Sequence, residues 1–188
     1  TRITLDKSLR LESLINEFFD ITRYNLQKIE LERESIDLYY MLVQLTDEFY
    51  PLLNDHQNTV ELSADESITL YGDANKLARV FNNLLKNAIA YSYPRTPIRI
   101  SAEKTQDQVT VCFSNQGNTI PANKLADIFE KFFRLDDART SNTGGAGLGL
   151  AIAREIVTLH GGTITASSQE QVTTFQVSLP LPSFSKVS

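Results

Sequence analysis

Four of the chain's eight glycines fall within six residues, at Gly144, Gly145, Gly147 and Gly149, and the run opens directly into an amphipathic segment ending near His160. Glycine has no Cβ, so backbone N–H groups in such a turn can come close to a bulky anion. A helix starting at about Gly147 would add unpaired donors and a partial positive charge. The pattern predicts a phosphate cradle. It is neither of the two commonest kinds. A dinucleotide fingerprint counted from Gly145 and Gly147 needs a third glycine where Leu150 stands, and a P-loop needs a lysine after its last glycine, where none follows. The cradle belongs to another nucleotide fold, or the segment is only a flexible loop, and the glycines alone do not decide.

With 188 residues, 41% of them hydrophobic, the chain fits one globular domain with at most an appendage. A net charge of −5 gives no reason to expect nucleic acid as a partner. The single cysteine, Cys112, excludes an internal disulfide, and its place in an alternating strand pattern predicts a small core residue. Two histidines, His56 and His160, are too few for a multi-histidine metal centre. No apolar run is long enough to span a bilayer and no signal peptide is visible. The chain opens on Thr1, within a helical pattern, and is expected to be a piece of a longer protein.

Leu11, Leu14, Ile15 and Phe18 follow helical spacing, and residues 2–32 are expected to form one long helix, followed by a break at Glu34-Ser35-Ile36. Asp37 should cap a second helix with Leu38, Met41, Leu42, Leu45, Phe49 and Leu52 on one face. Short strands are expected at Thr59–Leu62 and Ile68–Tyr71, and a third helix from about Ala74 to Tyr91. A hairpin should follow, with Ile98, Ile100 and Ala102 on one strand and Val109, Val111 and Phe113 on the other. Pro121–Phe133 suggests one or two short helices, and residues 135–144 a loop long enough to carry function. A fourth helix, from about Gly147 to His160, stops at Gly161-Gly162, and a last hairpin joins Thr163–Ser167 to Thr173–Leu179. The order predicts an α+β fold: a two-layer sandwich in which one mixed sheet is covered on one face by three helices.

Two polar features stand beside these apolar patterns. Asn83, Asn87 and Tyr91 are spaced four apart along the third helix, next to a buried face of Leu77, Phe81, Leu84 and Ala88. A side-chain carbonyl there suits Mg2+, which takes oxygen ligands and bridges phosphates. Asn115-Gln116-Gly117 closes a buried strand, where an amide oxygen could accept from the exocyclic amino group of a purine. Solvated asparagines and an ordinary Asn-x-Gly turn remain the plain alternatives.

Asn83-Leu-Leu-Lys-Asn87-Ala, Asn115-x-Gly117, Ile128-Phe-Glu-Lys-Phe-Phe-Arg134, the glycine run and His160-Gly-Gly occur in this order. Together they resemble the N, G1, F and G2 boxes of bacterial sensor histidine kinases. The wording of Ser114–Pro121 and of Arg134–Gly145 is similar to the vancomycin-resistance branch of that family. The resemblance implies a Bergerat ATP-binding fold over residues 37–182. Residues 1–36 would be the C-terminal helix of the dimerisation and phosphoacceptor hairpin, and 183–188 a tail. It implies ATP and Mg2+ as cofactors, with Asn87 on the metal, Asn83 beside the phosphates and Tyr91 near the adenine and ribose. Asn115 and Gly117 would lie at the base, and Arg134 would reach the γ-phosphate. Gly145, Gly147, Leu148 and Gly149 would wrap the phosphates below a lid of residues 135–144. Asn83 and Arg134 would be the catalytic pair.

The partners implied are the chain's own phosphoacceptor domain, within a homodimer, and a response regulator. The setting implied is the cytoplasmic side of a membrane sensor, held to the membrane only by preceding segments. Residues 1–37 contain no histidine, so the phosphoacceptor is expected upstream of Thr1. Three departures bear on affinity: Asn115 replaces the family's usual aspartate, Thr119 a glycine and Ala90 a lysine, which together predict weak ATP binding. Gyrase-, Hsp90- and mismatch-repair-type relatives activate water with a glutamate at the place of Asn83. A histidine acceptor needs no such base, because a neutral imidazole carries a lone pair. A conformational clamp driven by ATP hydrolysis and a degenerate nucleotide-binding module are the alternatives.

Overall fold

A computed structural model describes residues 30–133 and 147–181, together with Ser8, Leu11, Glu12, Ile15, Asn16 and Thr22. In chain order these form β1 (Arg33–Asp37), α1 (Leu38–Asp55), β2 (Thr59–Ala64), β3 (Thr69–Asp73), α2 (Ala74–Tyr91), β4 (Pro97–Lys104) and β5 (Gln108–Gln116). Single turns of 3-10 helix at Ala122–Lys124 and Asp127–Phe129 follow, then α3 (Gly149–Leu159), β6 (Thr163–Gln169) and β7 (Val172–Pro180). Five strands make a mixed sheet in the order β2-β4-β5-β7-β6, with β2 parallel to β4 and the remaining pairs antiparallel. A parallel pair cannot be closed by a tight turn, and here the crossover is β3 with α2.

Strand alternation sets the two faces of this sheet. Ile98, Ile100 and Ala102 of β4, Val109, Val111 and Phe113 of β5, and Phe175, Val177 and Leu179 of β7 are buried. Register places Phe113 opposite both Ile100 and Phe175. Against this face lie Leu38, Leu42 and Leu45 of α1, Leu77, Phe81, Leu84 and Ala88 of α2, and Ile152, Ile156 and Val157 of α3. Phe81 stacks on Phe113 with ring centroids 6.0 Å apart. Truncating such a ring costs about 3–5 kcal/mol. The sandwich of three helices on one face of a mixed sheet is the architecture that the sequence predicts.

Three local expectations are corrected. Residues 34–36 are not a break: β1 pairs antiparallel with β3, placing Ile36 opposite Leu70, and both are buried. Apart from the main sheet, β1 and β3 thus form a two-stranded sheet of their own, and a domain boundary after residue 36 would cut through it. Cys112 is not a core residue. The alternation that turns Val111 and Phe113 inward turns Cys112 to the opposite face, half-buried, beside Gln176. Burial pushes its thiol pKa up, which keeps it protonated and unreactive. The helix expected over 2–32 is seen at its six described residues before Glu30, but Glu30–Glu32 are irregular. The rest of that helix, the lid expected at 135–144 and the tail at 183–188 lie outside the described residues. No helix among the described residues is long and apolar enough to cross a membrane.

Candidate functional site

Helix α2 is the spine of the site. Asp73 caps its start by accepting from Lys76 N at 3.1 Å, and the helix runs unbroken for 18 residues. Its apolar stripe faces the sheet, which leaves Asn83, Asn87 and Tyr91 along one flank. Asn83 and Asn87 are half-buried and Tyr91 is exposed. At 1.5 Å per residue the stripe is about 12 Å long. Asn83 Nδ2 donates to the carbonyl of Gly149 at 3.1 Å. A Cβ on Gly149 would stand 3.4 Å from Asn83 Oδ1, so the first turn of α3 packs directly on the middle of α2. One turn further on, the Asn87 amide makes no hydrogen bond with any described residue.

The far end of the stripe meets the end of β5. A Cβ on Gly117 would lie 2.1 Å from Tyr91 O, an overlap with backbone that only glycine avoids. Tyr93 N donates to Gln116 O at 2.7 Å, and Gly117 N to Gln171 O at 2.8 Å. Asn115 is 3% exposed, faces the helices, and has its Nδ2 3.3 Å from where that Cβ would be. Its side-chain amide has no hydrogen-bond partner among the described residues. An amide the fold itself leaves unpartnered keeps hydrogen-bonding capacity for a ligand. Thr119, where the family pattern has glycine, uses its hydroxyl to accept from Gln171 N at 3.0 Å. Ser168 Oγ accepts from Ile120 N at 2.8 Å and bonds the Thr173 hydroxyl at 2.8 Å. These side chains fix the loop that carries Asn115 and Gly117. Thr119 stands out in the sequence only as a departure from the family pattern, and nothing there singles out Ser168 or Thr173.

The glycine turn closes the other side. Gly147 has φ +76°, and a Cβ there would come within 2.7 Å of Phe133 O. Its carbonyl accepts from Phe132 N at 3.0 Å. Ile128 and Phe129 are buried, Phe129 edge-on to Phe175 at 6.2 Å, and they anchor this segment to the sheet. Phe132 remains 58% exposed with φ +64°. Leu148 is buried at the start of α3, and no side chain among the described residues caps that helix, which leaves its first amides without a side-chain acceptor there. Asn83, Leu148 and Gly149 are therefore brought together at one end of the stripe, with Gly147 beside them, and Tyr91, Asn115 and Gly117 at the other. Arg134 and Gly145 lie outside the described residues.

His160, expected at a helix end, is a strut. It is buried at the end of α3, where Nε2 accepts from Asp73 N at 3.0 Å and Nδ1 donates to Ile156 O at 2.8 Å. Burial pushes its pKa down, so the ring is neutral, as this donor–acceptor pattern requires. Gly72 makes room for it: a Cβ there would sit 3.0 Å from His160 Cδ2. The Asp73 carboxyl is pushed up by burial, but its bonds from Lys76 Nζ, Lys76 N and Glu32 N outweigh this and hold it below the usual range.

The fold is an α+β sandwich in which an asparagine-bearing helix, a strand-end amide and a glycine turn lie along one helix flank. The chain belongs to the family of histidine kinase-, DNA gyrase B- and HSP90-like ATPases, which matches residues 72–183. It is 61% identical to sensor protein VanS of Enterococcus faecium over 178 residues, 95% of this chain and 46% of that protein. The histidine kinase AdeS of Acinetobacter baumannii shares its fold, with a TM-score of 0.83 at 22% identity over 96% of this chain and 83% of that one. The histidine kinase ThkA, solved in complex with the response regulator protein TrrA, gives a TM-score of 0.77 at 25% identity, over 95% of this chain and 49% of that one. The chain spans about half the length of the relatives it matches.

Proposed function

We propose that this chain is the ATP-binding catalytic part of a two-component sensor histidine kinase. It transfers the γ-phosphoryl group of ATP to a histidine on a preceding helix, for relay to a response-regulator aspartate. The observation that carries this reading is the convergence on α2: Asn83 bonded to Gly149 at one end, and the unpartnered Asn115 beside the Tyr91–Gly117 contact at the other. A nucleoside triphosphate laid along the stripe puts its base at Asn115 and its phosphates at the start of α3. The 61% identity to a sensor protein and the response-regulator complex of ThkA favour the kinase among the family's activities.

The residues have distinct roles. Asn115 Oδ1 accepts from the adenine amino group. Gly117 lets the base approach the backbone, and Tyr91 flanks base and ribose. The uncapped amides of Leu148 and Gly149 meet phosphate oxygens, with Gly145 and Gly147 giving the turn its reach. Asn87 fits Mg2+: its amide oxygen is a hard ligand with no protein partner among the described residues, and Mg2+ binds through few protein ligands plus phosphate oxygens. When bound, the ion neutralises charge that develops on the transferring phosphoryl group. Asn83 positions the start of α3, and Arg134 supplies a cation toward the γ-phosphate. No carboxylate stands at position 83 to activate water, which disfavours the hydrolytic clamp. The pairing of β1 with β3 supports a catalytic unit that includes β1. The partners are the phosphoacceptor helices of a homodimer and a response regulator, on the cytoplasmic side of a membrane sensor.

The test is to extend the chain upstream through the preceding helix and follow labelled γ-phosphate. Transfer to a histidine of that helix is the expected result. ATP hydrolysis with no labelled protein, unaffected by Asn83→Ala, would sink the kinase reading.

A further inference from the structure

Asn58 lies between α1 and β2, outside every motif the sequence displays, and is 6% exposed. Its Nδ2 donates to Tyr93 O at 2.9 Å and Thr96 O at 3.0 Å, and lies 3.4 Å from Ser92 Oγ. Its Oδ1 is fully buried without a partner. Two carbonyl acceptors around one side-chain atom fix the amide's orientation, since only NH2 can serve both. An orphaned buried acceptor is unfavourable, yet an asparagine stands here. What it supplies is a donor to the Ser92–Thr96 turn. The backbone on both sides is shaped for the same contact: Gln57 and Arg95 have φ +59° and +61°, and Arg95 N donates to Gln57 O at 2.9 Å.

That turn touches the base end of the site directly. Tyr93, whose carbonyl Asn58 holds, donates its own N–H to Gln116 O at 2.7 Å and its hydroxyl to Asn118 Oδ1 at 2.8 Å. Tyr91, two residues earlier, presses its carbonyl onto Gly117. We infer that Asn58 is a positioning residue for nucleotide-base recognition, holding the Tyr91–Tyr93 segment at the distance from Asn115 and Gly117 that an adenine requires. The inference rests on the nucleotide reading of the site. It adds a residue that touches no ligand and sits on a different element.

The experiment is calorimetric titration of the chain with Mg-ATP, Mg-ADP and Mg-GTP, alongside thermal unfolding, for wild type and Asn58→Ser. Loss of the two donated bonds should raise the Kd for ATP and ADP by the same factor, about tenfold. The ATP/ADP ratio should hold, because the phosphate end is untouched, while the preference for ATP over GTP shrinks. Asn58→Gln, which keeps the amide on a longer stem, should recover part of the preference, and it carries the test if the serine variant does not fold. A lowered Tm with wild-type affinities and wild-type ATP/GTP preference would make Asn58 a structural residue only and overturn the inference. Failure of the wild-type chain to bind Mg-ATP at millimolar concentration would instead sink the reading of the site.

Discussion

Two polar groups ride on α2, and they are built in opposite ways. At its N-terminus, every polar atom of the Asp73–His160 pair that points inward is used: the carboxylate receives Lys76 and Glu32, the Asp73 N–H goes to His160, and the ring's other nitrogen goes to Ile156 O. Along its flank and C-terminal end, Asn87 and Asn115 have amides with no partner among the described residues. Asp73, His160 and Asn115 are buried, and Asn87 is half-buried. Desolvating an amide without a hydrogen bond costs about 1–3 kcal/mol by mutational measures, so the flank holds polar capacity that the fold itself does not use. A saturated cluster is a strut; an unsaturated one keeps hydrogen-bonding capacity that a ligand can complete. That contrast predicts that substitutions at the two ends fail differently.

The largest separation is expected at Asn87. Asn87→Ala should abolish Mg2+-dependent nucleotide binding while moving Tm by little, since no described residue leans on its amide. Titration with ATP in Mg2+ and in chelator, with a melting curve, checks this; unchanged Mg2+-dependent affinity would remove Asn87 from the metal. Gly117→Ala should damage both fold and site, because its methyl group meets Tyr91 O at 2.1 Å. Displacing that backbone costs about 1–3 kcal/mol, read as a lower Tm together with weakened ATP binding.

The strut should show the reverse pattern. His160→Leu leaves the buried Asp73 N–H without an acceptor, a loss of about 1–3 kcal/mol, while nucleotide affinity stays within twofold of wild type. The ring also gives the chain a pH signature. Its pKa is lowered on folding, so the unfolded chain takes up a proton that the folded chain refuses. Its contribution is complete above the ordinary histidine value of 6.5 and is lost as pH falls below it. The wild-type Tm should therefore decline on the acid side of that value more steeply than the Tm of His160→Leu. Equal slopes would mean the imidazole is not held neutral by burial. The Asp73 carboxyl acts in a separate, lower window, below its ordinary 3.8.

Local chemistry was the legible part of this chain. The limits of α2 can be read directly, because Asp73 is a capping residue, the apolar spacing is regular, and Ser92 and Pro94 end it. The asparagine stripe, Asn115-x-Gly117 and the glycine turn were legible as types of residue at particular spacings. Their convergence was not, since it depends on α3 docking against α2 across 66 positions of chain. Strand β1 escaped for a related reason: one inward apolar residue, Ile36, carries no period of its own, and only β3 gives it a partner. Cys112 differs in kind. The parity that buried Val111 and Phe113 was visible, and it already excluded position 112 from the core. Asn58 and Ser168 act through hydrogen bonds to backbone distant in sequence, which leave no trace in composition or spacing.

The smallest effect, and the one that bears most on how the flank is used, is expected at Asn115. Asn115 faces inward from the end of β5, and its neutral amide stands where the family pattern has a carboxylate. Asn115→Asp keeps the shape and exchanges a neutral acceptor for a charged one, and hydrogen bonds to charged acceptors are about twice as strong as neutral ones. Burial opposes the gain by penalising the charge in the empty site, so the net tightening for ATP should be modest, about threefold to tenfold, and should appear equally for ADP. The variant should also be less stable without nucleotide, because an unpartnered carboxylate is costlier to bury than an unpartnered amide. Stability and affinity would then move in opposite directions at this position and together at Gly117, which is the difference between a group that faces a ligand and a group that only makes room for one. A clear loss of ATP affinity in Asn115→Asp would mean that the Asn115 amide serves the base through its NH2 rather than its oxygen, and the hydrogen-bonding sense at this end of the site would have to be reversed.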